Sequence, residues 1–138
     1  MASEIFIDSG AFYAMLDPNE HWHKEVKRQI ESLIGEKARF VTSDYVLDET
    51  ITLLQSRGLS YLVEHWIEDV IFGNSCEIVW MDRQKFDVVR QFFTKHSDKQ
   101  WSFTDCFSFC VMKERKIRRA LAADKHFKQA GFQLLLND

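Results

Sequence analysis

Little in this chain is built to bend. One proline, Pro18, and five glycines stand among 138 residues, which excludes flexible linkers and low-complexity tracts and leaves one compact domain spanning residues 1–138 as the expectation. Cysteine is scarce and unpatterned. Cys76, Cys106 and Cys110 are an odd number with no CxxC pair, so neither a disulfide framework nor a zinc-ribbon spacing is present. Cys106 and Cys110 lie four apart, can share a helix face, and read as buried free thiols. No window approaches the roughly 20 apolar residues of a membrane span, so no membrane partner is expected. The opening MASEIFIDSG lacks a basic start leading into a long apolar stretch, which predicts no signal peptide and a reduced, cytoplasmic setting. A basic excess is missing too, since the formal net charge is −3. That excludes a broad cationic face for gripping nucleic acid, but not an enzyme that holds a polyanion through metal ions and a few lysines.

What is present is core material. Hydrophobic residues make up 46% of the chain, 12 of them phenylalanine, and the 28% charged residues are of both signs, mixed along the chain, a balance that argues for a folded globule. Residues 4–8 (EIFID) predict a strand ending in an acid, followed by a helix carrying AFYAML to Asp17-Pro18. A second helix over 21–34 shows Val26, Ile30, Leu33 and Ile34 at helical spacing, with Gly35 placed to end it. Residues 39–42 (RFVT) predict the next strand, and Ser43 can cap a helix over 44–57 that Gly58 closes. The periodicity is clearest over 59–72, where Leu59, Leu62, Val63, Trp66, Ile67, Val70 and Ile71 predict a continuous helix. Residues 77–81 (EIVWM) follow as a strand with Trp80 in the core pattern. Asp82 then caps a helix bearing Phe86, Val89, Phe92 and Phe93. A polar loop over 96–101 leads to Ser102, which opens a helix reaching Lys116. Residues 118–123 predict a strand ending at Asp124, then a short helix to Gly131 and a last strand over 133–136. Strands and helices alternate without hairpins, the pattern of an α/β domain with a mainly parallel, about five-stranded sheet covered on both faces.

Three aspartates then fall at comparable places. Asp8 and Asp124 end strands just before helices, and Asp105 lies in the first turn of a helix. Beyond the carboxyl ends of parallel strands the loops diverge and leave a crevice, so acids far apart in sequence can converge there. Glu49 sits amid the apolar stripe of Val46, Leu53 and Leu54, which turns it toward the sheet rather than into open water. Asp48 beside it points about 100° away. Each acid also has an ordinary structural reading: aspartate caps helices and is favoured in their first turns, and Ser102-Phe103-Thr104-Asp105 fits a capping box. The functional reading rests on the set. Carboxylates within about 5 Å repel unless protons or a cation intervene. Hard oxygen ligands suit Mg2+ or Mn2+, and an acid cluster lacking His and Cys ligands suits them better than zinc. Such an ion activates water and stabilises charge on a phosphodiester.

These segments are similar to a known family. IFIDSGAFYAMLD resembles the opening of PIN-domain proteins, and VTSDYVLDET resembles the second motif, with Glu49 matching its acid. WSFTDCFSFCVMKERKI resembles the third, and LAADKHFKQAGFQLLL the C-terminal motif. The matches run in family order from first strand to last, and look most like VapC-type toxins of toxin–antitoxin pairs. The resemblance implies a PIN-like α/β/α sandwich and an endoribonuclease that cleaves single-stranded or loop RNA. It implies Asp8, Glu49, Asp105 and Asp124 as the acidic quartet, with Asp8, Asp105 and Asp124 holding metal. Ser9 and Thr104 match supporting hydroxyls. It also implies a homodimer and an antitoxin that inserts a segment near the site. Cys106, Phe107 and Ser108 depart from the small apolar residues usual at those positions.

Other residues read more simply. The run Lys113, Arg115, Lys116, Arg118 and Arg119 falls at the opposite sheet end and reads as helix-end charge complement. Lys99 and Lys125 border the proposed crevice as candidate phosphate contacts. His21 and His23 lack zinc partners. His126 follows Asp124 closely, either approaching substrate or serving the short helix. Trp101 reads as packing rather than base stacking. Against a phosphatase of the haloacid-dehalogenase kind stands Gly10, where a second aspartate is required; against a receiver domain, the lack of a lysine after the last strand. An RNA-processing or non-catalytic regulatory PIN module remains the alternative.

Overall fold

The computed structural model describes residues 3–137; Asp138, and the part of the leader argument resting on Met1 and Ala2, lie outside the described residues. Strand β1 (Glu4–Ile7) leads into α1 (Ser9–Leu16) and α2 (His23–Gly35), then β2 (Arg39–Ser43) and α3 (Asp44–Ser56). After α4 (Val63–Ile67) come β3 (Glu77–Val79), α5 (Arg83–Lys95) and α6 (Phe103–Arg115). The chain closes with β4 (Arg119–Leu121), α7 (Lys125–Gln129) and β5 (Gln133–Leu134). Among the described residues the strands form one sheet in the order β3-β2-β1-β4-β5, and every pairing is parallel. The α/β reading with a parallel five-stranded sheet is therefore correct.

Central β1 is the reason the sheet holds. Ile5, Phe6 and Ile7 are all buried, as a strand covered on both faces requires. Phe6 pairs with Val41 on one side and Ala120 on the other. Side chains of Phe109, Phe127 and Leu136 complete the core on the β4–β5 half. Local signals act as read: Ser43 Oγ accepts from Val46 N, Asp82 caps α5 through Lys85 N, and Gly58 takes a positive φ after α3. Arg115 clasps Glu4 and Glu77 at the far end of the sheet, so that member of the basic run serves as a tie between strands. Among the described residues no helix is long and apolar enough to cross a membrane.

Two expectations are corrected. The helix over 59–72 is composite: a 3-10 turn (Ser60–Leu62), α4, and a π turn (Glu68–Phe72). Within it Trp66 of α4 and Val70 of the π turn are buried, and Leu59, Leu62, Val63, Ile67 and Ile71 pack partly buried against the core, so the stripe meets the core although the helix changes pitch. Trp80 is 55% exposed rather than core. It follows the last paired residue of β3, an edge strand, where no neighbour covers it. Phe86 and Phe93 are likewise substantially exposed on α5.

Candidate active site

The strand order reverses direction at β1, with β2 on one side and β4 on the other. That split is where a crevice opens above the strand ends, and Asp8 stands in it. Its backbone is pinned: Asp8 N donates to Leu121 O at 3.2 Å, and Thr42 Oγ1 donates to Ile7 O at 2.8 Å. Asp8 occupies the N-cap position of α1, yet its side chain makes no cap bond. The structural use that would have accounted for it is absent. The residue is only 7% exposed. Burial, and then the charge of Glu49, push its carboxyl up to about 8, with Asp105 and Asp124 adding to the rise against a hydrogen bond from Ser9 N–H. Asp8 thus feels the fields of all three other predicted acids.

Asp105 and Asp124 do both jobs. Asp105 is the third residue of α6 and completes a capping box, its Oδ2 accepting from Ser102 N at 3.0 Å while Ser102 Oγ accepts from Asp105 N. Asp124 caps α7, Oδ1 accepting from His126 N at 2.9 Å. Because β4 stops at Leu121, Asp124 reaches the site from a loop rather than from a strand end. The cap bonds fix both carboxylates in orientation and leave each with a second oxygen. Between them sits His126, its Nδ1 3.2 Å from Asp105 Oδ2 and 3.3 Å from Asp124 Oδ1. Ligand atoms of Asp105, Asp124 and His126 lie within 4.8 Å of one another. The tightest such grouping among the described residues therefore takes in His126 where Asp8 was expected.

Glu49 projects from α3 and accepts a hydrogen bond from Ser9 Oγ at the start of α1. Ser9, Glu49 and Thr104 line one open trough with Asp48, Thr52 and Ser56, so the two supporting hydroxyls border the acids. The helix does not remove Asp48 from this region, although it is exposed. Lys125 opens α7 beside Asp124, and Lys99 lies in the loop before α6; both are exposed. Trp101 is buried and stacked with Phe92, and its Nε1 donates to Gln129 Oε1 at 3.2 Å. It ties α7 to the start of α6 and is unavailable to a base. The thiols play no part: burial pushes Cys106 and Cys110 up to about 11. An apolar cavity of about 680 Å3 lies elsewhere, between α1, α2 and α4.

His126 is the residue whose position sequence reasoning left open. Its signal was the spacing Asp-Lys-His at a helix start: with the aspartate as N-cap, the residue two on has its N–H on the cap and its side chain beside it.

A family model described as PIN domain matches residues 5–133. The chain is similar to the 23S rRNA-specific endonuclease VapC20 of Mycobacterium tuberculosis, 28% identical over 129 residues that cover 93% of this chain and 95% of the relative. It is 25% identical over 114 residues to a VapC ribonuclease of Archaeoglobus fulgidus, covering 81% and 72% of the two chains. The crystal structure of VapC20, a sarcin–ricin loop cleaving toxin, superposes with a TM-score of 0.81 at 27% identity over 93% of this chain and 95% of that one. FitAcB from Neisseria gonorrhoeae shares the fold, with a TM-score of 0.63 at 18% identity over 94% and 95% of the two chains.

Proposed function

The chain belongs to the PIN-domain family, and from that premise we propose that it is a metal-dependent endoribonuclease serving as the toxin of a type II toxin–antitoxin pair. One observation carries the chemistry. A buried carboxylate, Asp8, stands at the sheet's split, caps nothing, and faces the charges of Glu49, Asp105 and Asp124. Such a cluster is unfavourable by itself, and a divalent cation relieves it.

Asp8, Asp105 and Asp124 would hold the cation, Mg2+ or Mn2+, through their carboxylate oxygens, with the cap bonds of Asp105 and Asp124 keeping those two carboxylates oriented. Bound there, the ion supplies a Lewis acid for a phosphodiester oxygen and lowers the pKa of a coordinated water. Glu49, oriented by Ser9 Oγ, accepts the proton of the attacking water. Asp8 at the N-cap of α1 and Asp105 in the first turn of α6 both stand at helix N-termini, where the dipole favours a carboxylate. Ser9 and Thr104 support the trough, and Lys99 and Lys125 meet phosphates along the strand. The substrate is RNA presented as a single strand or loop, since an open trough admits an unpaired backbone more readily than a duplex. A homodimer, a cognate antitoxin and a cytoplasmic location complete the reading.

The test uses purified protein, structured and unstructured RNA, and Mg2+ or Mn2+. The Asp8→Asn, Asp105→Asn double variant prepared in parallel is expected to lose cleavage by about 100-fold or more. Equal cleavage by both preparations would assign the activity to contamination. Inactive parent protein on every RNA would favour a regulatory PIN module instead.

A further inference from the structure

We propose that His126 is itself a metal ligand, through Nδ1, and that the Asp105–Asp124–His126 set selects Mn2+ over Mg2+. The proposal rests on the reading of this site as a cation site and deepens it. Composition alone pointed to an all-oxygen set. Tertiary structure brings a nitrogen into it.

The geometry is that of adjacent coordination positions. With metal–ligand bonds of roughly 2.1 Å in an octahedral shell, neighbouring donors stand roughly 3.0 Å apart. His126 Nδ1 lies 3.2 Å from Asp105 Oδ2 and 3.3 Å from Asp124 Oδ1, close to that spacing on both sides at once. The carboxylates do not need the imidazole as a cap partner, and without an ion its Nδ1 stands within hydrogen-bond distance of Asp105 Oδ2. Asp105 Oδ2 already accepts from Ser102 N, and Asp124 Oδ1 from the backbone of His126, so both carboxylates are oriented without the ring. The backbone bond to Asp124 also fixes where the ring starts, and its side chain is 24% exposed, shielded enough to hold one orientation.

Chemistry then separates the ions. Mg2+ prefers carboxylate and water oxygens and gains little from imidazole, whereas first-row transition ions bind imidazole well. One nitrogen among carboxylates therefore moves preference toward Mn2+ without excluding Mg2+. As a ligand, neutral His126 carries its proton on Nε2 and presents the Nδ1 lone pair to the ion.

The experiment is binding, followed by pulsed electron paramagnetic resonance on the full chain loaded with Mn2+ alone. Titration is expected to give Mn2+ an affinity about tenfold or more above that of Mg2+. The bound Mn2+ is expected to show nitrogen coupling, which changes to the 15N pattern when histidine is 15N-labelled. His126→Gln is expected to lose the coupling and about tenfold of Mn2+ affinity, while Mg2+ affinity stays within about twofold. The labelled parent answers the question even if the variant folds poorly. Mn2+ bound without nitrogen coupling, or coupling that persists in folded His126→Gln, overturns the role of His126 and leaves the acidic site standing. Failure of the parent to bind either ion overturns the site reading as well.

Discussion

Asp8 makes a measurable commitment for the protein without metal. Its carboxyl ionises near 3.8 in the unfolded chain and is pushed up to about 8 in the fold. Below about pH 4 both states hold the proton and no difference arises. Between 4 and 8 only the folded state keeps it, so stability falls as pH rises through this window and levels off above it. In the presence of chelator, Asp8→Asn is accordingly expected to melt about 5 °C above the parent at pH 8, with the gap closing toward pH 4. A variant that melts lower than the parent at pH 8 would mean that Asp8 is held by unbroken favourable contacts. Saturating Mn2+ should reverse the order, because it stabilises only the protein that binds it.

Helix starts are where structure and site are joined. The capping box of Ser102 and Asp105 sets both the entry of α6 and the direction of one carboxylate. Ser102→Ala is expected to lower stability by about 1 kcal/mol, read by urea unfolding, and to weaken metal binding more than that loss explains. Unchanged metal affinity would separate the cap from the site. The composite helix makes a different prediction. A Cβ on Gly73 would stand 2.5 Å from Asp69 O, a backbone atom that cannot swing aside. Gly73→Ala should therefore destabilise by roughly 1–3 kcal/mol, whereas an ordinary Gly→Ala in a relaxed helix stabilises. A gain in stability would show that the π turn readily re-forms as α-helix.

Across the molecule, exposed large apolar residues fall at Ile34, Tyr61 and Phe72 and, as a group, on and before α5. Trp80, Phe86, Val88 and Phe93 are all 40% exposed or more, and Phe86 and Phe93 both pack at a tilt against Phe103 of α6. Exposed apolar side chains grouped on one element can mark an interaction site. If the chain pairs through this surface, Trp80→Lys, which touches no ring of α6, is expected to weaken self-association by light scattering while leaving the melting of the fold near that of the parent. A dimer of undiminished affinity would place the interface elsewhere.

Strand alternation, the caps Ser43, Asp82 and Ser102, and the acids at strand and helix boundaries were legible in the sequence because they depend on local periodicity and on neighbours three or four residues away. So was the order of the family motifs. Which face a residue meets was not always legible: Trp80 fits an apolar pattern but lies past the paired end of an edge strand, and its position in the sheet decided that. The stripe over 59–72 meets the core as read, but not as one continuous α-helix. Only the fold could bring α6 and α7 together so that the imidazole of His126 stands between Asp105 and Asp124. No spacing along the chain encodes a distance across a crevice, since that distance is set by how β1 and β4 pair and how their helices pack.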